Sequence, residues 1–82
     1  MYELFLSDKA KKQLKGFPQQ LRDRIGASFE RIRVRPFHFV KRKQGTPYFI
    51  LRIGEYRAVL DIKQNKLIIL VIEVKHRKNI YK

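Results

Sequence analysis

The chain has no cysteine, which removes two supports that small domains often use, a disulfide framework and a thiolate zinc site. Histidine is nearly as scarce. His38 and His76 stand far apart, and the seven carboxylates lack the spacing of a ligand set, so no metal is expected. The four glycines, Gly16, Gly26, Gly45 and Gly54, occur singly, so there is no glycine-rich loop to cradle the phosphates of a nucleotide cofactor. Neither a Ser-His-Asp or Cys-His arrangement nor a glycosidase-type carboxylate pair is discernible. Long apolar runs are missing too. Nothing approaches the ~18–20 residues of a membrane span, and Met1 to Leu6 is too short for the apolar stretch of a signal peptide. A soluble, cytoplasmic protein without a cofactor or membrane partner is expected.

Acidic residues are the scarcest class relative to their counterparts: 7 Asp and Glu against 20 Lys and Arg, a net charge of +13 on 82 residues. That length allows one domain, spanning residues 1–82, with a thin core, because a chain this short buries only roughly 60–70% of its unfolded surface. A hydrophobic fraction of 44% is nonetheless that of a folded domain. The charge is unevenly spread. Residues 1–30 carry six basic and four acidic groups, whereas residues 31–82 carry fourteen basic and three acidic. A field concentrated on one part of the chain points to a polyanionic partner: nucleic acid first, acidic protein second, and a membrane surface third, for want of a basic amphipathic helix with an apolar anchor.

Local patterns give the element order. Tyr2 to Leu6 reads as an opening strand. Ser7 caps a first helix, with Asp8 at the positive end of its dipole and Ala10 and Leu14 on one face. Gly16 ends it, Phe17 packs inward, and Pro18 suits the first position of a second helix. There Leu21, Ile25, Phe29 and Ile32 recur at spacings of four, four and three, one apolar stripe that Pro36 terminates. Phe37, Phe39 and Val40 then lead into Lys41-Arg42-Lys43, followed by the turn cluster Gln44 to Pro47. Tyr48 to Ile53, Tyr56 to Ile62 and Leu67 to Val74 are β-rich, separated by Gly54-Glu55 and by a reversal at Gln64-Asn65. The expectation is an α+β fold: an N-terminal strand and a two-helix hairpin packed on an antiparallel sheet of about four strands.

The central hairpin allows a sharper inference. With Gly54-Glu55 as its turn, Ile53 pairs with Tyr56 and Arg52 lies directly opposite Arg57. Phe49, Leu51, Ile53, Tyr56, Ala58, Leu60 and Ile62 then face the helices, and both arginines share the other face with Ile50 and Val59. Like charges opposed across a sheet repel. Either an anion occupies the space between them, or both side chains splay into water at a cost of a few tenths of a kcal/mol. Lys41, Arg42 and Lys43 can line a groove for an RNA backbone, with Arg77 and Lys78 as further phosphate donors. Interleaved aromatics (Phe37, Phe39, Tyr48, Tyr56, Tyr81) suit single-stranded RNA. In so small a domain most of these rings are needed for the core, and only Tyr81, in a polar tail, is expected to be exposed.

Strand, helix, helix and strands, followed by Leu51-Arg52-Ile53-Gly54-Glu55-Tyr56-Arg57 and then by His76-Arg77-Lys78 and Ile80-Tyr81, resemble the RelE/ParE toxin superfamily of prokaryotic toxin–antitoxin systems over essentially the whole chain. In the RelE branch the resemblance implies a toxin that cleaves mRNA in the ribosomal A site and is neutralised by a cognate antitoxin. It implies metal-free chemistry, with the ribose 2′-OH attacking the adjacent phosphate. Arg57 then matches a transition-state clamp, Arg52 a basic residue on the first hairpin strand, and Arg77 a group for charge stabilisation or leaving-group protonation. Tyr81 matches a residue for base stacking or general base catalysis, and His76 is a second candidate for that base. Relatives often carry a further basic residue two positions before Arg52, where this chain has Ile50. The partners implied are the antitoxin, the ribosome and mRNA. The ParE branch implies DNA gyrase inhibition instead, and a nucleic-acid-binding module without chemistry is the third reading.

Overall fold

The computed structural model describes residues 1–77. Lys78 and Tyr81, two of the site residues expected from sequence, lie outside the described residues. The elements run β1 (Glu3–Leu6), α1 (Asp8–Lys15), α2 (Gln19–Val34), α3 (Pro36–Phe39), β2 (Val40–Arg42), β3 (Phe49–Ile53), β4 (Tyr56–Lys63) and β5 (Ile68–His76). Five strands form one sheet in the order β1-β5-β4-β3-β2. The pairs from β2 to β5 are antiparallel, and β1 joins the edge parallel to β5. The α+β architecture is therefore as expected. The sheet is larger than four strands because the opening strand belongs to it and Val40–Arg42 contributes a short strand on the opposite edge.

Each boundary has a local cause. The Ser7 hydroxyl accepts from the Ala10 N–H at 3.0 Å, satisfying one of the free donors of the first turn of α1. Pro18 sits one position earlier than expected, capping α2, and its carbonyl accepts from Arg22 N–H. Arg35, forced out of the helical region by the following proline, ends α2 with φ −141°. Pro36 does more than stop that helix: it occupies the first turn of α3, a single turn that the sequence patterns did not disclose.

The stripe of α2 behaves as its periodicity predicts. Ile25, Phe29 and Ile32 are buried and Leu21 packs beside them, against Leu51, Ile53, Ala58, Leu60, Ile62, Ile69, Val71 and Val74 of the sheet. Phe17 meets the Tyr56 ring at 5.3 Å, closing the end of this core. The outer edge of β5 is shared between two coverings. Its first half pairs with β1, from Glu3 opposite Ile68 to Leu6 opposite Val71. Beyond Val71, α1 takes over: the Ser7 hydroxyl donates to the Ile72 carbonyl, and the Gln13 side-chain oxygen accepts the Val74 N–H at 2.7 Å. Ladder groups that would otherwise be left at an open edge thus find partners.

Candidate nucleic-acid interface

The Gly54-Glu55 turn sets the register of the site. Gly54 takes φ +58°, Ile53 pairs with Tyr56, and Arg52 lies directly opposite Arg57, as the alternation predicts. A side chain at Gly54 is disfavoured by this positive φ, and an added Cβ, 2.9 Å from the Arg24 guanidinium that α2 lays over the turn, would also push that flexible group aside. The ladder then carries the charge one strand further, since Arg57 is paired on its other side with Lys75 of β5. Three cations from three adjacent strands therefore form a row across the face away from the helices: Arg52, Arg57, Lys75.

A second row runs parallel to the first. Lys41 pairs with Ile50, Ile50 with Val59, and Val59 with Glu73. The two rows enclose hollows on either side of Arg57. One, of about 260 Å³, is lined by Phe39, Lys41, Ile50, Arg52 and Arg57. The other, of about 290 Å³, brings Arg42, Lys43 and Lys75 around an apolar floor of Ile50 and Val59. Both are smaller than the pockets that engulf a drug-sized ligand, and suit successive groups of a polymer better than a free small molecule. Lys41, Arg42 and Lys43 thus contribute to the same surface as the arginine pair, though to two different hollows.

The electrostatics differ along the rows. Among the described residues no carboxylate pairs with Arg52 or Arg57, and the Arg57 Nε is buried without a hydrogen-bond partner. Glu73 is the exception to the basic surface. Its two oxygens are held by Lys9 of α1 at 2.7 Å and by Lys75 at 3.1 Å. Burial pushes its carboxyl up, but the hydrogen bonds and charges of the two lysines outweigh this and hold it below its ordinary value. Glu73 is therefore a fixed anion at the rim of the second hollow, and a weak base.

Arg77 is the last described residue. Its backbone N–H donates to the Glu55 carbonyl at 2.7 Å, tying the chain just after β5 to the hairpin turn at the end of the sheet that carries Arg52 and Arg57. His76 falls on the opposite face. It pairs with Tyr56, whose ring it meets edge-on at 4.9 Å, and its Nε2 lies 3.5 Å from a Glu55 carboxylate oxygen. With Arg57 and Lys75 on the open face, strand alternation turns Tyr56 and His76 toward the helix side. There His76 packs against the Tyr56 ring, on the face opposite the arginine row. The expectation that Tyr81 alone among the aromatics is exposed is overturned by Phe37 and Phe39, which are 44% and 39% exposed. Both sit on the one-turn helix α3 at the sheet margin, outside the main core cluster. Lys75 and Glu73 were not singled out from sequence, and Phe39, named there among the interleaved aromatics, was expected in the core. The register shift at Val59/Leu60 hides the pairing of Lys75 with Arg57 from a count along the chain, and Phe39 ends a one-turn helix that no periodicity marks.

With this geometry in hand, comparison with known proteins decides the family. A family model for the ParE toxin of the type II toxin–antitoxin system parDE matches residues 4–81. The chain belongs to that family. It is a toxin of a type II toxin–antitoxin system. Its fold is also that of solved RelE structures: the archaeal RelE–RelB complex of Pyrococcus horikoshii (TM-score 0.81, 20% identity, 93% of this chain and 94% of that one) and the intact E. coli RelBE toxin–antitoxin complex (0.79, 21%, 93% and 96%). The RelB–RelE complex of Methanococcus jannaschii is similar too, at TM-score 0.74 and 25% identity over 95% of each chain. No curated protein sequence matches the toxin. Among the described residues no helix is long and apolar enough to cross a membrane, and no cluster of three or more metal-ligating side chains occurs.

Proposed function

We propose that this toxin is an endoribonuclease that cuts mRNA presented by the ribosome, and that a cognate antitoxin silences it by covering the basic sheet face. The observation that carries this reading is the row Arg52–Arg57–Lys75, three neighbouring cations with no carboxylate on the two arginines. Cleavage needs the ribose 2′-oxygen to bond to the adjacent phosphorus while the bond from phosphorus to the 5′-oxygen breaks. The 2′-hydroxyl proton goes to a base and the 5′-oxygen gains one, leaving a 2′,3′-cyclic phosphate and a 5′-hydroxyl. Negative charge builds on the non-bridging oxygens as phosphorus becomes five-coordinate, and fixed cations stabilise that charge more than the ground state. In this reading Arg57 is the clamp and Arg52 its partner across the ladder. Arg77 assists the leaving oxygen, and Tyr81 takes the 2′-hydroxyl proton or stacks on the substrate. A tyrosine base requires its pKa, ordinarily about 10, to be lowered by neighbouring cations. Lys41, Arg42, Lys43 and Lys78 hold flanking phosphates. No metal enters this chemistry. The solved complexes of RelE with RelB support the antitoxin as partner.

The ParE family match favours a second reading, inhibition of DNA gyrase without nuclease chemistry. Two assays separate them. Primer extension on a translated mRNA after regulated expression is expected to reveal codon-phased cuts that disappear in Arg57→Ala and Arg77→Ala. Cutting that persists unchanged in both variants removes the site assignment. Intact mRNA together with inhibited supercoiling by purified gyrase replaces the nuclease reading with the gyrase one.

A further inference from the structure

We propose that Phe39 is the platform on which the toxin stacks a nucleobase next to the phosphate held by Arg52 and Arg57. The inference rests on the RNA reading above and adds to it, besides Tyr81, a residue that handles the base as distinct from the backbone. Phe39 is one of three exposed phenylalanines, with Phe5 and Phe37, and the one that lines the basic hollow. Its neighbour Phe37 has an internal partner, meeting Phe49 edge-on at 5.4 Å. Phe39 instead lines the 260 Å³ hollow together with Lys41, Ile50, Arg52 and Arg57. Val40, the residue after Phe39, pairs with Leu51, the residue before Arg52, so the end of α3 meets the sheet next to the head of the cationic row.

The ring is also held in place. The Arg31 guanidinium from α2 lies over it, 5.7 Å from its centroid, and His38 meets it edge-on at 5.1 Å and 78°. An aromatic plane fixed by its own neighbours and opening onto a site for phosphate is the arrangement that single-stranded nucleic acid uses: backbone on cations, base on a ring. A ring face has no hydrogen-bonding edge, so such a platform accepts any base. Selectivity among codons would then come from whatever presents the mRNA.

The chain contains no tryptophan, so Phe39→Trp places a single indole at the proposed stacking position. The probe is a short single-stranded RNA with 2′-O-methyl riboses, which cannot be cut, and the control is inorganic polyphosphate. RNA is expected to quench the indole of Phe39→Trp, polyphosphate to leave it unchanged, and RNA affinity to be retained. In fluorescence anisotropy Phe39→Leu is expected to weaken RNA binding about 5- to 100-fold, the range of a lost base–aromatic stack, while polyphosphate binds within about twofold of wild type. An unquenched indole at saturating RNA, or unaltered RNA affinity in a folded Phe39→Leu, overturns the platform. If Arg57→Ala still abolishes binding in that case, the RNA reading survives alone. RNA binding that is indifferent to Arg57→Ala as well, or no tighter than polyphosphate binding, overturns both. Should Phe39→Leu fail to fold, the quenching result decides.

Discussion

Replacing Arg52 with threonine is expected to make the protein more stable while weakening its hold on anions. Arg52 stands directly opposite Arg57, with Lys75 on the far side of Arg57. An unfavourable cross-strand charge pair costs about 0.2–1 kcal/mol, and exposure of Arg52 puts this pair in the lower half of that range. Lys75 is two strands from Arg52, roughly 10 Å away at ordinary strand spacing, which is about one Debye length at 0.1 M salt. Its contribution is therefore mostly screened near physiological salt and emerges near 0.01 M, where the Debye length is about 30 Å. Threonine suits a strand and adds no strain. The gain is about 0.5 kcal/mol at moderate salt, or ~2–4 °C in Tm for a domain of this size, and larger at low salt. Arg57 is a poorer probe because its side chain is half-buried, so truncating it also loses packing. Thermal unfolding followed by circular dichroism at two salt concentrations, with and without polyphosphate, measures both effects. Polyphosphate should raise the Tm of the wild type more than that of Arg52→Thr. A variant that is less stable than wild type at low salt, or whose gain ignores salt, refutes the claim that repulsion is stored in this pair.

Three further outcomes follow from local geometry. Glu73 has a folded-state pKa below its unfolded value, so the stability it contributes is fully present above about pH 4.5 and is lost as pH falls through the lowered value; Glu73→Gln should be less stable than wild type near neutral pH, and unfolding curves from about pH 7 to pH 3 should converge at the acid end. Gly54→Ala combines φ +58° with a Cβ against the Arg24 guanidinium, and is expected to destabilise by about 1–2 kcal/mol in denaturant titration, with Arg24→Ala recovering only the steric part. Leu67 holds φ +54° in the β4–β5 turn with an exposed side chain, so Leu67→Gly should raise stability by about 0.5–1 kcal/mol in the same titration.

The hairpin was legible because two independent signals agree there: a glycine that tolerates positive φ, and a period of two that assigns each residue to a face. The α2 stripe was legible for the same reason at a period near 3.6. What lay beyond reach was set by features without a local signature. The β4–β5 register shifts at Val59/Leu60, and such an irregularity is decided by packing rather than by residue type, so the alignment of Lys75 with Arg57 could not be counted off the chain. The single turn at Pro36–Phe39 is too short for any periodicity. Size and hydrophobicity assign Phe39 to a core, and only the sheet margin reveals that no core remains there to receive it. His76 shows how one step along a strand changes the face: it pairs with Tyr56, whereas its neighbour Lys75 pairs with Arg57.

The parallel pairing of β1 with β5 has a consequence for how the toxin comes into being. Ser7 meets Ile72 across 65 positions of chain, and among the described residues β1 pairs with β5 alone. Synthesis proceeds from the N-terminus, so β1 and α1 emerge first; the bonds between Tyr2 and Arg33 tie them to α2, but their strand partner is missing until β5 has been made. The loop that this contact closes spans most of the molecule, a late and slow event in assembly. Arg57 likewise gains its Lys75 neighbour only when β5 arrives. The cationic row is therefore a property of the finished chain alone, and a half-made toxin on its own ribosome does not yet possess it.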